Sequence, residues 1–264
     1  MRKIEINELK SLQLDILNKV HAFCENNNIT YYLGYGTLLG AIRHNGYIPW
    51  DDDIDIIMPR EDYEKFIRFF RDNDLEALSL YKDSHFPFPI TKVSHRYTCL
   101  VEESSYKYDR LGVNIDVFPI DGLSTNIMRA KCHVVFLRLL TTIMELKKMK
   151  ISKRRSYLKN LILVASQIIF FIIPLRILLK LIDFISKTYS YKSSKYVEQL
   201  YVPRLSRIVE KKVFYEKELH AFENYKFYIP KGYDCYLRSL YGDYMKLPPL
   251  SARLPKHHFI AFWR

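Results

Sequence analysis

Apolar residues in the first part of the chain recur at three- and four-residue steps. Ile6, Leu9, Ile16, Val20 and Phe23 form one stripe, interrupted by a single polar residue, Gln13. This spacing predicts an amphipathic helix, ended by the run Glu25-Asn26-Asn27-Asn28. ITYYL (29–33) is β-branched and aromatic and predicts a strand. GTLLGAIR (36–43) predicts a short helix entered through glycine, and HNGYIP (44–49) a turn. DIDIIM (53–58) alternates polar and apolar positions, so it predicts a strand, stopped by Pro59. PREDYEKFIRFFRDN follows with Pro and acids in its first turn and Phe66, Phe69 and Phe70 behind them, which predicts a helix. VNIDVF (113–118) alternates again and predicts another strand, closed by Pro119. Helices and strands in this order point to an α/β or α+β core.

The pattern changes between about 126 and 195. Lys147, Lys148, Lys150, Lys153, Arg154, Arg155 and Lys159 put seven cations into 146–160 with no acid among them. They account for over half of the net charge of +12, so the basicity is a local patch and not the uniform coat of a nucleic-acid binder. Directly after it, LILVASQIIFFIIPL (161–175) has no charge, then come Arg176 and Lys180. The run is shorter than the ~20 residues a spanning helix needs, and it contains Pro174. Two readings fit: a helix lying in an anionic membrane surface, or a core helix with a solvated basic face. Beyond 195 the chain is rich in Tyr and suggests helical packing around YIPKGYDCYLRSLYGDYMKLPP.

A chain of 264 residues is long enough for a sizeable core in one or two domains. Its four cysteines are far apart and form no C-x-x-C pair, which predicts reduced thiols instead of a disulfide frame or a zinc knuckle. MRKIEINELK lacks the apolar run of a signal peptide, so a cytosolic location is expected.

The chemistry concentrates in GYIPWDDDIDIIMPR (46–60). On a strand, Asp53 and Asp55 project to one side while Ile54 and Ile56 face the other. Side-by-side carboxylates repel each other unless something positive joins them, and oxygen donors suit Mg2+, with Mn2+ an alternative. Asp116 has the same alternation on its own strand, so neighbouring strands would collect three carboxylates. Asp51 and Asp52 fit either supporting roles or a solvated acidic turn. A calcium loop counted from Asp51 needs Gly at its sixth position and finds Ile56, which excludes it. Upstream, YLGYGTLLG brings Gly34, Tyr35, Gly36 and Thr37 to a helix start, where backbone N–H groups favour a phosphate; glycines at such a junction also serve tight packing. Arg43 and Lys92 are candidate phosphate contacts or solvated cations. Tyr35, Tyr47 and Trp50 flank the motifs, and such rings suit a quaternary ammonium by cation–π attraction, or serve as core. His257 and His258 suit structural or acceptor-contact work better than metal binding.

LGYGTLLGAIRHNGYIPWDDDIDIIMPREDYEKF, VNIDVFPIDGL and FENYKFYIPKGYDCYLRSLYGDYMKLPP together resemble the LicD family of phosphotransferases, related to fukutin and to the nucleotidyltransferase superfamily. The resemblance covers about 1–125 and 196–260; the stretch 126–195 aligns with none of its motifs. It implies an α+β fold: a nucleotidyltransferase-like core (a small mixed sheet with flanking helices) with a helical insertion and a helical C-terminal part. The division expected is a core at 1–125, an insertion at 126–195 and a part at 196–264 that completes a single catalytic domain. The resemblance implies transfer of phosphocholine, or a related phospho-alcohol, from a CDP-linked donor, CDP-choline above others, to a sugar hydroxyl of a cell-surface glycan. Asp53 and Asp55 would then be metal ligands, Asp116 the third acid, and Gly36 and Thr37 the phosphate-facing helix start. A lipid-linked acceptor would place the protein on the anionic inner face of the cytoplasmic membrane, with no nucleic-acid partner. A rival reading is a nucleotidyltransferase that modifies RNA or a small molecule. The basic block holds only Tyr157 as a stacking residue, which does not favour RNA.

Overall fold

The computed structural model describes residues 1–102, 108–152, 155–254 and 259–264. Lys153 and Arg154 of the basic run, and His257 and His258, therefore lie outside the described residues. In chain order the elements are β1 (Lys3–Ile4), α1 (Ile6–Asn26), β2 (Tyr32–Leu33), α2 (Tyr35–His44), β3 (Asp55–Pro59), α3 (Arg60–Phe69), β4 (Leu75–Leu78), β5 (Thr91–His95), β6 (Thr98–Glu102) and β7 (Asn114–Leu123). Then follow α4 (Ile127–Lys148), α5 (Tyr157–Ile169), α6 (Leu175–Ser186), β8 (Tyr196–Glu198), β9 (Val209–Glu210), β10 (Lys217–Phe222), β11 (Tyr225–Pro230), α7 (Tyr233–Tyr241) and β12 (Phe259–Trp263). The class is α+β, with a mixed sheet at the centre.

That sheet runs β2-β3-β7-β5-β4, and β8 and β9 extend it from the far end of β7. Only β3 and β7 are parallel. The helix α1 packs on β5 and β7, α2 on β3, and α3 on β3 and β7. Gln13, the polar break in the α1 stripe, is buried. Its side-chain amide donates to the carbonyls of Asp52 (3.0 Å) and Asn114 (3.4 Å), and its oxygen accepts from the Tyr47 hydroxyl (3.1 Å). A buried amide stays cheap only when paired in this way, and here the pairing ties the acidic turn to the first residue of β7.

Several expectations change. ITYYL shortens to a two-residue strand, and β3 begins at Asp55, so Asp53 precedes the strand in an extended segment. Pro119 does not close the second alternating strand; β7 continues to Leu123. The Asp116 N–H points toward β3, donating to the Ile54 carbonyl at 2.8 Å, so by alternation the Pro119 nitrogen points toward β5. The β5 ladder has already ended at Val117, hence no ladder donor is lost there. The C-terminal part is less helical than expected: it holds β8, β9, the hairpin β10–β11 and β12, with α7 the one α-helix among its described residues, beside short 3-10 turns. β12 lies between β1 and β6, and Trp263 Nε1 donates to Glu8, so the two ends of the chain close one small sheet.

The described residues of 127–186 include three helices, α4, α5 and α6. α4 and α6 share a core of Val134, Leu137, Met144, Leu178, Leu179 and Ile182, and α5 buries only Leu163. The uncharged run is not one helix; it breaks between α5 and α6, where Pro174 caps α6. The unit is fastened to the main sheet by Arg60, whose guanidinium binds both Asp121 oxygens (2.6 and 2.9 Å) and reaches Asp183 of α6 (3.2 Å). Its surface exposes many apolar side chains: Leu158, Leu161, Ile162, Ile168, Ile169 and Phe184 are exposed, and Phe171 and Ile172 in the turn between α5 and α6 are 80% and 86% exposed. No helix among the described residues is long and apolar enough to cross a membrane.

Candidate active site

Three neighbouring strands place one titratable side chain each in a single row. Asp55 on β3 is in register with Asp116 on β7, and Asp116 is in register with Lys92 on β5. Residues opposite each other in a sheet share a face, so two carboxylates and an ammonium stand abreast. Lys92 Nζ lies 2.6 Å from Asp116 Oδ1. Burial first, then the carboxylates of Asp53, Asp116 and Asp51, hold the Asp55 carboxyl well above the usual carboxylate range, and Lys92 opposes them. Ile54, which interrupts the acids, and Ile56 are fully buried on the face opposite the row, and Ile57, on the Asp55 face, is fully buried as well.

The acidic turn joins the row from the N-terminal side of β3. Asp51, Asp52 and Asp53 can bring carboxylate oxygens within 4.8 Å of one another. Helix α2 sets their position. Thr37 in its first turn accepts a hydrogen bond from the Asp55 N–H (2.8 Å), and Gly34 donates to the Asp55 carbonyl (2.9 Å). A Cβ on Gly36 would lie 2.6 Å from Asp51 Oδ2, so glycine is what lets that carboxylate rest against the helix start. Thus the feature expected to face a phosphate also carries an acid. Tyr35, between the glycines, has φ +42°, a left-handed conformation unfavourable for a bulky residue.

The remaining sequence candidates fall in separate places. The Tyr47 hydroxyl binds Lys10 and Gln13 of α1, and its ring carries the Lys10 ammonium 4.6 Å from the centroid. Trp50 lies beneath Arg253 (5.5 Å) and beside His44. Tyr35 packs on Phe118 (4.9 Å) and under Arg207 (5.6 Å). The three rings therefore have different neighbours. Arg43 turns to the Tyr244 carbonyl (2.8 Å) and His44. Arg207 is a cation that sequence reading missed: it lies on Tyr35, its Nε is buried with no hydrogen-bond partner, and it belongs to a segment without periodic pattern.

Among the described residues Asp51, Asp52 and Asp53 offer an all-oxygen donor set, and Asp55 is buried beside the like charges of Asp53, Asp116 and Asp51. This is the chemistry a hard divalent cation requires, and it fits Mg2+ or Mn2+ better than a softer metal.

Residues 28–138 match the sequence profile of the family described as LicD/FKTN/FKRP, nucleotidyltransferase domain. The row and the acidic turn lie within that span. The chain is 29% identical, over 97% of its own length and 97% of the relative's, to a lipopolysaccharide cholinephosphotransferase LicD of Haemophilus influenzae. It is also 44% identical over 63 residues to uncharacterized proteins of Rickettsia typhi and Rickettsia prowazekii, which is 24% of this chain and 20% and 24% of theirs.

Proposed function

Because residues 28–138 match the LicD family profile and the chain is 29% identical along nearly its whole length to a lipopolysaccharide cholinephosphotransferase LicD, we propose that it transfers phosphocholine from a CDP-linked donor, CDP-choline, to a sugar hydroxyl of a lipid-linked cell-surface glycan. The observation that carries this reading is the row of Asp55, Asp116 and Lys92 beside the Asp51–Asp53 turn. Phosphoryl transfer requires two oxygens held in line and negative charge balanced as it develops, and little else from the protein. Asp51, Asp53 and Asp55 would hold Mg2+ or Mn2+, which when bound neutralises charge on the phosphoryl oxygens.

The acceptor hydroxyl oxygen forms a bond to the β-phosphorus. The bond from that phosphorus to the bridging oxygen breaks, and CMP leaves with the electron pair. The hydroxyl proton passes to Oδ2 of Asp116, the more open carboxylate of the row, whose Oδ1 is held by Lys92. Lys92 thereby orients Asp116 and adds positive charge on the side where phosphoryl charge grows. Arg207, over Tyr35, is a second cation for the departing phosphate.

The acceptor's lipid places the reaction at a membrane. The exposed apolar residues of α5, of the turn after it and of α6, with Lys159, Arg176 and Lys180 along them, suit the headgroup–acyl boundary of an anionic surface such as the inner face of the cytoplasmic membrane. The deciding experiment incubates the protein with Mg2+ and, separately, CDP-choline, CDP-ribitol, CDP-glycerol and CTP, with a lipopolysaccharide acceptor. CMP release with CDP-choline and phosphorus appearing on the glycan is expected. Pyrophosphate from CTP, with no CMP from any CDP donor, would overturn it.

A further inference from the structure

The end of α4 and the turn after it enclose a cleft of about 720 Å³, lined by Phe88, Glu145, Lys148, Lys150, Arg155 and Tyr201 among others. This volume suits one or two sugar units. Among its described lining residues are three cations and one acid, Glu145, which lies 3.9 Å from Lys148. The turn's described residues are hydrogen-bonded to one another and to Asn160: the Asn160 amide donates to the Ser152 carbonyl (2.9 Å), the Arg155 N–H to the same carbonyl (3.1 Å), and the Arg155 guanidinium to the Lys150 carbonyl (3.2 Å). Lys148 is only 9% exposed along its side chain, and its ammonium lies 4.5 Å from the Phe88 centroid. Lys92, the cation of the catalytic row, rests on the same ring at 5.1 Å. On the other wall, Tyr201 packs on Phe118, which packs on Tyr35. The cleft therefore opens one aromatic ring away from the Asp116–Lys92 pair.

We propose that this cleft binds a phosphate group carried by the glycan acceptor, so that the enzyme selects a phosphorylated sugar as substrate. The assignment rests on the transfer reaction proposed above. A phosphate has two sources in that reaction, the nucleotide donor and the acceptor, and two observations favour the acceptor. The row and acidic turn that handle the donor lie inside the span 28–138 that matches the family profile, whereas Lys148, Lys150 and Arg155 lie beyond it. They also belong to the α4–α6 unit with the exposed apolar surface, the side from which a lipid-linked acceptor arrives. Cationic side chains around a half-enclosed pocket are the usual means of holding a phosphate monoester.

The test uses the full chain and the double variant Lys150→Gln/Arg155→Gln, both positions near the surface. With a synthetic disaccharide acceptor bearing a phosphate monoester, the acceptor KM should rise at least tenfold, while the CDP-choline KM and kcat at saturating acceptor stay within about threefold. With the same disaccharide lacking the phosphate, parent and variant should match. A rise in the donor KM, an equal loss with both acceptors, or no change would overturn the assignment. A second arm needs no turnover: glucose 6-phosphate titrated calorimetrically into metal-free protein should bind the parent saturably, bind the double variant at least tenfold more weakly, and be unaffected by CMP. Displacement by CMP would give the cleft to the donor and overturn the proposal, as would equal binding of glucose. Should the parent use no CDP donor, the reaction itself is wrong, and this binding arm alone decides whether the cleft holds a sugar phosphate.

Discussion

Asp55 and Asp116 stand opposite each other on the one parallel strand pair in the sheet, and Lys92 closes the row beside Asp116. Like charges held side by side destabilise the metal-free protein and bind a cation strongly. Asp55→Asn should therefore abolish transfer, by at least 100-fold, while metal-free thermal stability holds or rises and the increment on adding Mg2+ shrinks. Scanning calorimetry with EDTA and with Mg2+ checks it. Near-normal turnover in the variant would remove Asp55 from the site.

Gly36→Ala places a methyl group 2.6 Å from Asp51 Oδ2, too close for both to stay. The side chain can swing away, so stability should change by less than about 1 kcal/mol. Moving the carboxylate should raise the Mg2+ concentration needed for half-maximal rate severalfold. A large loss of stability, with unchanged metal dependence, would show that Gly36 serves packing alone.

The bidentate Arg60–Asp121 pair joins α3 to the end of β7 and, through Asp183, to α6; Asp121 is 1% exposed along its side chain. Asp121→Asn leaves a buried guanidinium short of its counter-charge, which costs about 3–5 kcal/mol. Urea denaturation of parent and variant measures this directly. A cost below about 1 kcal/mol would mean that water reaches the pair.

Burial holds the Glu198 carboxyl well above its ordinary value, against the opposing Arg204 N–H bond and Arg207 charge. An acid with a raised folded-state pKa binds its proton more tightly when folded. Stability is then lost as pH rises from the unfolded value, about 4.3, toward the folded one. Glu198→Gln keeps an acceptor for Arg204 and removes that loss. The melting temperature of the variant relative to the parent should be higher at pH 8 than at pH 5; an identical difference at both would show that Glu198 is ionised in the fold.

Phe171 and Ile172 project from the turn between α5 and α6. The parent should sediment with anionic phosphatidylglycerol vesicles at low salt and more weakly with phosphatidylcholine alone. Phe171→Glu/Ile172→Glu should weaken that association at least tenfold and leave CMP release with a short soluble acceptor within about twofold. Undiminished sedimentation would mean that the vesicles touch another surface.

Local patterning was sufficient for α1, α2 and α3 and for the existence of the strands that carry Asp55 and Asp116, though not for where those strands begin and end, because each depends on spacing within a few residues of itself. The isoleucines between the aspartates marked a buried strand without any knowledge of its neighbours. Tertiary structure decided what those acids face. Lys92 reaches Asp116 only because β5 pairs antiparallel with β7, and nothing in the sequence around Lys92 specifies that register. Gln13 read as a flaw in a helix until the acidic turn and Asn114 supplied its partners. β2 and β9 are two residues long, too short to carry a period, and β8 and β12 pair with chain far away in sequence. Arg207 and the cleft at the end of α4 share this property. Each gathers side chains from far apart in sequence, and the free energy that assembles them is packing between elements rather than preference within one.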